Sequence, residues 1–466
     1  MTSAADQAND PEETTPNATS ALQPMTPRQQ YLRYSGFKYD TFAQPDAEQE
    51  YGFADRDTLQ IPPFTDQALA PRPDDIPPVF PRAYYVDPRY SERREGSVFE
   101  ELRAPDHALV YGEPGAGKTT LRLAVETYAR AFPNGTLVVT YEPGRVVESE
   151  VGQAVAAVGQ SAEAADADAA ATDAHLRLVA AALAVDLFIQ IIEQFGLRRD
   201  LPTARQNDAL CYLITTIEPR LKAVLQRLMR GDEPTELYGF AWLWRRLDRP
   251  VVRPVVRTPQ MSDWFKALRK HGQTPGEALP DGAAMWQRAL DTARLWGFGR
   301  VFVLLDGLDT YWRRPPDMLR LLDPLLRLLP RFAAQEVNLK AFLPRELEQS
   351  VAQRLEAYGV AADEVHVIVL AWTDERLRAL VLTRYRAARS RRLTLSDLVD
   401  KEDTEFYERV DDMLIESARG NPRRLLLILH ELVEAHIADP DWPVERPITR
   451  AEWALAVERA EARMAG

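Results

Sequence analysis

AlaLeuValTyrGlyGluProGlyAlaGlyLysThrThrLeuArgLeuAlaValGluThrTyr, Ala108 to Tyr128, changes character twice along its length. Ala108 to Tyr111 is a short apolar run, Gly112 to Thr119 is a glycine-rich turn, and the remainder places apolar residues at helical spacing. The order is therefore strand, loop, helix. GlyGluProGlyAlaGlyLysThr fits the phosphate-loop (P-loop) pattern, and its flanking elements are the ones that pattern requires. Gly112, Gly115 and Gly117 allow a tight turn with amides pointing inward at phosphate oxygens, and the start of the helix adds a favourable dipole. Lys118 brings a point charge to those oxygens, and Thr119 offers its hydroxyl to Mg²⁺. The predicted nucleotide-binding stretch is Gly112, Glu113, Pro114, Gly115, Ala116, Gly117, Lys118, Thr119 and Thr120. A glycine-rich turn without a ligand is the competing reading, and the agreement of pattern and neighbours argues against it.

Four more runs are mainly apolar: ThrLeuValValThrTyr at 136–141, ValPheValLeuLeu at 301–305, LeuLysAlaPheLeu at 339–343 and ValHisValIleValLeu at 365–370. Runs apolar on both faces suit parallel strands covered by helices, so the expected fold is a doubly wound α/β domain. The third run continues into AspGlyLeuAsp, Asp306 to Asp309. An acid at the C-terminal end of a buried strand faces the ligand crevice of such a sheet, and Asp306 is expected to hold Mg²⁺ through water. Asp309 has two open readings. It orients a nucleophilic water, or it caps the helix that follows.

The rest of the chain is organised around this core. Residues 1–27 are acidic and rich in Thr, Ala and Pro, the composition of a disordered tail. Residues 28–90 alternate aromatics with Pro and Asp, as a segment wrapped on a domain does. The core is expected at 91–142 and 281–371, interrupted by a mainly helical insertion at 143–280. Within the insertion an acidic, Ala-rich stretch reads as a linker or a poorly packed helix. Residues 176–195 and 210–228 have helical spacing, the second broken at Pro219. ArgProValValArgProValValArg at 249–257 favours an extended form. Residues 372–466 are read as a helical lid with amphipathic runs at 374–388, 405–419 and 421–436.

GlyGluProGlyAlaGlyLysThr together with LeuLeuAspGlyLeuAsp resembles the STAND branch of AAA+-related ATPases, the group of NACHT and apoptotic-type switches, which lies near the origin-recognition ATPases. The fold this implies is a P-loop NTPase parallel sheet of ASCE/AAA+ type, with ATP and Mg²⁺ as cofactors. Gly307 stands where ordinary AAA+ enzymes carry a catalytic Glu, and Thr310 where a further acid is frequent, which implies slow hydrolysis. Arg345, in LysAlaPheLeuProArgGlu, falls at the place of the strand-end sensor Arg, with Pro344 replacing the usual Ser or Thr. Ala371 to Tyr385 is similar to the Trp-containing start of the lid. GlyAsnProArg at 420–423 is similar to the second sensor, whose Arg, here Arg423, reaches the nucleotide phosphates. Each Arg also has a plain reading, a surface Arg at 345 and a solvated Arg at a helix-helix turn at 423.

Composition bounds the partners. The chain has 466 residues, a formal net charge of -13 and one cysteine, Cys211, read as a small buried hydrophobe. A surface built mainly to neutralise a phosphate backbone is disfavoured, so nucleic acid is possible but not favoured as a partner. The N-terminus has no secretory pattern and no run long enough for a bilayer is found, which predicts a cytoplasmic protein without membrane contact. The basic run Arg384–Arg392 reads as a solvated helix face, Trp242, Trp244 and Trp264 as packing within the insertion, and His107 and His175 lack metal-ligand companions. The expected function is an ATP-binding switch whose nucleotide state drives lid closure and assembly with a protein partner or with itself. A DNA-associated AAA+ ATPase is the alternative, and a P-loop kinase ranks behind both.

Overall fold

The computed structural model describes residues 26–35, 98–131, 135–142, 164–195, 202–221, 263–264, 266, 281–311, 314–361, 363–388, 394–438, 443 and 445–465. Most of the tail and wrapping segment, the Pro-Val repeat, Trp242, Trp244 and Arg389 to Arg392 lie outside the described residues. In chain order the elements are α1 Pro27–Tyr34, α2 Val98–Arg103, β1 His107–Gly112, α3 Lys118–Ala131, β2 Thr136–Tyr141, α4 Ala164–Phe195, α5 Ala204–Tyr212, α6 Gly282–Leu295, β3 Arg300–Leu305 and α7 Leu308–Tyr311. There follow α8 Pro315–Arg327, α9 Leu329–Ala334, β4 Val337–Pro344, α10 Glu348–Ala357, β5 Val365–Val369, α11 Asp374–Ala388, α12 Thr404–Ala418, α13 Pro422–His436 and α14 Arg450–Ala465.

All five predicted strands form one parallel sheet in the order β2-β3-β4-β1-β5. Side chains alternate between two cores. Leu109 and Tyr111 of β1 join one cluster with Val139, Val303 and Leu305, while Ala108 and Val110 join the other with Val138, Phe302 and Leu304. Burial on both faces is why these strands read as continuous apolar runs. In register Gly112 lies beside Pro344, Ala341 beside Leu305, and Leu305 beside Tyr141. The C-terminal ends of β1, β4, β3 and β2 therefore share one edge of the sheet. β4 stands between the strand that enters the P-loop and the strand that leads into Asp306.

The insertion contributes directly to the core. α4 is apolar around most of its circumference, as a fully buried helix must be, and it packs on β2 and α6. Trp264 stacks on its Phe188. Part of the Ala-rich acidic stretch is the first turns of this helix. Residues 168–192 are long and apolar enough to cross a bilayer, which corrects the reading that no such run exists, and 94% of their most apolar window is buried inside the protein. α4 also closes an edge. Asp186 accepts from the Thr140 amide at 2.9 Å, and Gln190 donates to the Val138 carbonyl at 2.9 Å. Residues four apart on a helix are about 6 Å apart and residues two apart on a strand about 6.6 Å, so the pair spans the unpaired edge of β2. The expected break at Pro219 is the non-helical Glu218 (φ -132°, ψ 72°), which ends the π-helical turn Leu213–Ile217 that follows α5.

The C-terminal helices have a core of their own, with Leu377, Val381, Phe406, Leu414, Leu425, Leu429 and Trp453 among its members. Tyr31 and Leu32 of α1 join it, and Arg28 pairs with Glu434 at 2.5 Å. Arg384 corrects the solvated-face reading of the basic run. It is buried, because its turn of α11 also carries Val381 and Tyr385 into this core.

Candidate nucleotide site

The P-loop connects the end of β1 to the first residue of α3, and its shape follows from two left-handed glycines. Gly115 has φ +84° and Gly117 φ +93°, conformations that side chains with a Cβ resist. Between them the loop's carbonyls find partners in turn. Lys118 Nζ donates to Gly112 O at 2.8 Å and Glu113 O at 3.4 Å, and the Leu121 amide donates to Gly117 O at 3.0 Å. The three carbonyls between are met from the C-terminal helices. Asn421 Nδ2 donates to Pro114 O at 2.8 Å, the Arg423 amide to Gly115 O at 3.3 Å, and Trp372 Nε1 to Ala116 O at 2.9 Å. The Ala116 amide closes the loop on Glu113 O at 3.0 Å, and the carbonyls turned to these partners leave the opposite side to the amides of Gly115 and Gly117, an arrangement that suits anions.

Glu113 and Pro114 are exposed, Gly115, Gly117, Thr119 and Thr120 are half-buried, and Ala116 and Lys118 are buried. Thr119 and Thr120 lie in the first turn of α3. Lys118 makes an ion pair with Asp309 Oδ2 at 3.2 Å. Asp309 lies inside α7 and not ahead of it, so its carboxylate serves Lys118 where a helix-cap role had been an open reading. Asp306 follows β3 directly and is 5% exposed. Its Oδ2 accepts from Arg122 Nε at 3.0 Å, and its Oδ1 accepts from the Gly307 amide at 2.9 Å, which Gly307 permits with φ +78°.

Arg122 is the site residue that the sequence reading passed over. It sits one turn after Lys118 on α3, and its guanidinium also meets Glu126 Oε2 at 3.1 Å and Glu142 Oε1 at 3.7 Å. Arg130 continues the stripe, pairing with Glu126 at 3.0 Å and Asp186 at 2.9 Å. Arg122, Glu126 and Arg130 recur at four-residue intervals on a helix covered by the sheet. That was the available signal: charges on a face that should be apolar.

The sensor candidates are placed apart. Arg345 stands just past the Gly112–Pro344 row, is half-exposed, and pairs with Glu348 at 3.0 Å. Arg423 rests its backbone on Gly115 while its side chain is exposed. The turn that carries it has Arg419 at φ 49° and Gly420 at φ 72°, after which Asn421 Oδ1 caps α13 by accepting from the Arg424 amide at 3.1 Å. A Cβ on Gly115 would stand 2.7 Å from both Arg423 Cβ and Asn421 Oδ1, so the glycine also serves this close approach.

His107 and His175 are structural. His107 begins β1, at the edge of the sheet away from the P-loop. Its Nδ1 accepts from the Leu339 amide at 3.0 Å and its Nε2 meets Leu329 O at 3.1 Å. His175 Nδ1 meets the Tyr141 hydroxyl at 2.5 Å. Burial pushes both rings down to about 4.

Among solved structures, the chain is similar to the ORC1 protein of Aeropyrum pernix in complex with DNA, at 15% sequence identity and a TM-score of 0.37, covering 78% of this chain. It spans 64% of that chain's length. No family model matches the chain, and no curated protein matches it.

Proposed function

We propose that this protein is an ATP-binding, slowly hydrolysing switch of STAND/AAA+-like type, in which the state of the nucleotide is coupled to the helical lid. The observation that carries the proposal is the convergence of the P-loop, Lys118, Asp309 and Asp306 at the C-terminal edge of the sheet, with the GlyAsnProArg turn resting on the loop. The loop amides and Lys118 hold the phosphates of ATP, and Lys118 exchanges part of its pairing with Asp309 for phosphate oxygens.

The donor set fits Mg²⁺. Thr119 supplies a hydroxyl, and each oxygen of Asp306 keeps a lone pair for a metal-bound water beside the hydrogen bond it already accepts. When bound, Mg²⁺ neutralises charge developing on the phosphoryl oxygens. Asp309, whose carboxylate pairs with Lys118 at 3.2 Å, takes the water-orienting role. Its hold on Lys118, with Gly307 in place of a catalytic Glu, supports slow turnover.

Arg423 and Arg345 are assigned to the γ-phosphate. Only ATP then offers the differential contact that biases the lid. Hydrogen exchange across residues 418–426 with a non-hydrolysable ATP analogue and with ADP tests this, with Lys118→Ala as the non-binding control. ATP is expected to protect the turn more than ADP in the wild type and equally in Arg423→Ala. Identical differences in wild type and variant would remove Arg423 from the mechanism, and unchanged ATP affinity in Lys118→Ala would remove the nucleotide site.

A further inference from the structure

Asn421 does two things with one amide. Its Oδ1 caps α13 through the Arg424 amide, and its Nδ2 reaches Pro114 O in the P-loop. Trp372, at the start of the C-terminal helical region, does the second of these alone, placing its indole Nε1–H on Ala116 O. The Arg423 amide lies between them on Gly115 O. Donors from the lid thus meet consecutive carbonyls of the loop, and the glycine at 115 lets the two backbones approach. A peptide unit is planar, so fixing the carbonyl fixes the amide on its other side. Anchoring Pro114, Gly115 and Ala116 by their oxygens therefore aims the amides of Gly115 and Gly117, and it holds the Ala116 amide on Glu113 O at 3.0 Å, which closes the loop's own turn.

From this we infer that Asn421 and Trp372 are positioning residues for phosphate: the P-loop takes its anion-binding shape only while the lid is docked behind it. The inference rests on the nucleotide reading above and adds to it the order of events. The lid does not merely close over a finished site. Undocking it loosens the phosphate loop, so lid opening and nucleotide release are one step.

Asn421→Asp separates the two roles of the residue. Aspartate caps a helix as well as asparagine does, but it has no N–H for Pro114 O and sets an oxygen against an oxygen there. Trp372→Phe removes the indole donor and keeps most of the ring. Two measurements are made on the full chain. The first is amide exchange of residues 113–117 without ligand, beside the thermal midpoint. The second is calorimetric titration with Mg·ATP and with inorganic tripolyphosphate, which has no base to contribute. Each variant is expected to exchange faster through the loop at an unchanged midpoint and to bind both ligands about three- to tenfold more weakly, the scale of one hydrogen bond. Wild-type exchange in residues 113–117 of both variants overturns the inference whether or not the protein binds nucleotide. Loop exchange that rises only together with a lower thermal midpoint overturns it as well, by making the residues structural. Failure of the wild type to bind either ligand would refute the nucleotide reading separately, since the exchange measurement does not depend on it.

Discussion

Replacing Asp306 by Asn sets a buried charge against a solvated one, because Asp309→Asn makes the same chemical change nearby. The Asp306 side chain is 7% exposed, and its two oxygens each accept one hydrogen bond, from Arg122 Nε at 3.0 Å and from the Gly307 amide at 2.9 Å. An amide offers one acceptor oxygen, so one of the two donors loses its partner. Removing one member of a buried ion pair costs about 3–5 kcal/mol when its partner is left uncompensated. Arg122 keeps Glu126 at 3.1 Å and Glu142 at 3.7 Å, so the expected loss is nearer to about 1–2 kcal/mol, one lost hydrogen bond plus a weakened pair. The Asp309 carboxylate is 30% exposed and its pair with Lys118 is partly screened, so Asp309→Asn should cost about 0–1 kcal/mol. Urea unfolding followed by tryptophan fluorescence reads both. Turnover supplies the second axis: Asp306→Asn loses Mg²⁺-dependent hydrolysis while retaining metal-free nucleotide affinity, and Asp309→Asn slows turnover more than binding. Equal stability losses in the two variants would refute the assignment of Asp306 to a buried ion pair. Mg²⁺-dependent hydrolysis surviving in Asp306→Asn would refute its metal role.

Other outcomes follow from the same geometry. The unfolded chain protonates His107 and His175 at the ordinary histidine value of 6.5, but burial holds both at about 4 in the folded protein. Between those values the unfolded state binds more protons, so the stability these neutral rings contribute is complete above pH 6.5 and lost as pH falls toward 4, roughly 3 kcal/mol for each ring at most. Urea midpoints that stay flat from pH 6.5 to 4.5 would contradict this. Gly115→Ala meets left-handed strain and a clash 2.7 Å from Arg423 Cβ and Asn421 Oδ1, whereas Gly117→Ala meets strain alone, its nearest neighbour being Trp372 Cζ2 at 3.9 Å. Gly115→Ala should therefore lose exchange protection at residues 421–425 and Gly117→Ala should keep it; equal protection would show that the close approach does not hold the lid.

What the sequence disclosed and what it hid divide along physical lines. Strands buried on both faces are continuous apolar runs, so all five were legible, as was the P-loop, whose chemistry is local. The order of strands was not, because parallel pairing joins residues as far apart as Val110 and Phe342 and leaves no periodic trace. α4 was legible as a helix from 176 onward, but its part in closing the β2 edge depends on Asp186 and Gln190 meeting backbone groups about fifty residues earlier. Arg122 was hidden for another reason. A charged residue on an amphipathic helix is ordinarily assigned to solvent, and here the surrounding carboxylates of Asp306, Glu126 and Glu142 make its burial tolerable.

The P-loop is consequently tied from two directions. Lys118 and α3 hold its first and last carbonyls from within the sheet domain, and the lid holds the three between. The first set is present whatever the lid does, since it belongs to one continuous strand-loop-helix. The second set can be made or broken as a unit, because Asn421 and Arg423 share a single turn and Trp372 leads into the helix beside it. A bistable element needs such a division, one part that stays in place and, on the inference above, one that gives the loop its anion-binding shape. With only Lys118 and α3 the loop would bind phosphate independently of the lid, and a contact from Arg423 to the γ-phosphate would merely add affinity. With the carbonyls of Pro114, Gly115 and Ala116 also in play, the proposed nucleotide site would have the lid act on the same amides as the phosphate, and by reciprocity phosphate would act on the lid.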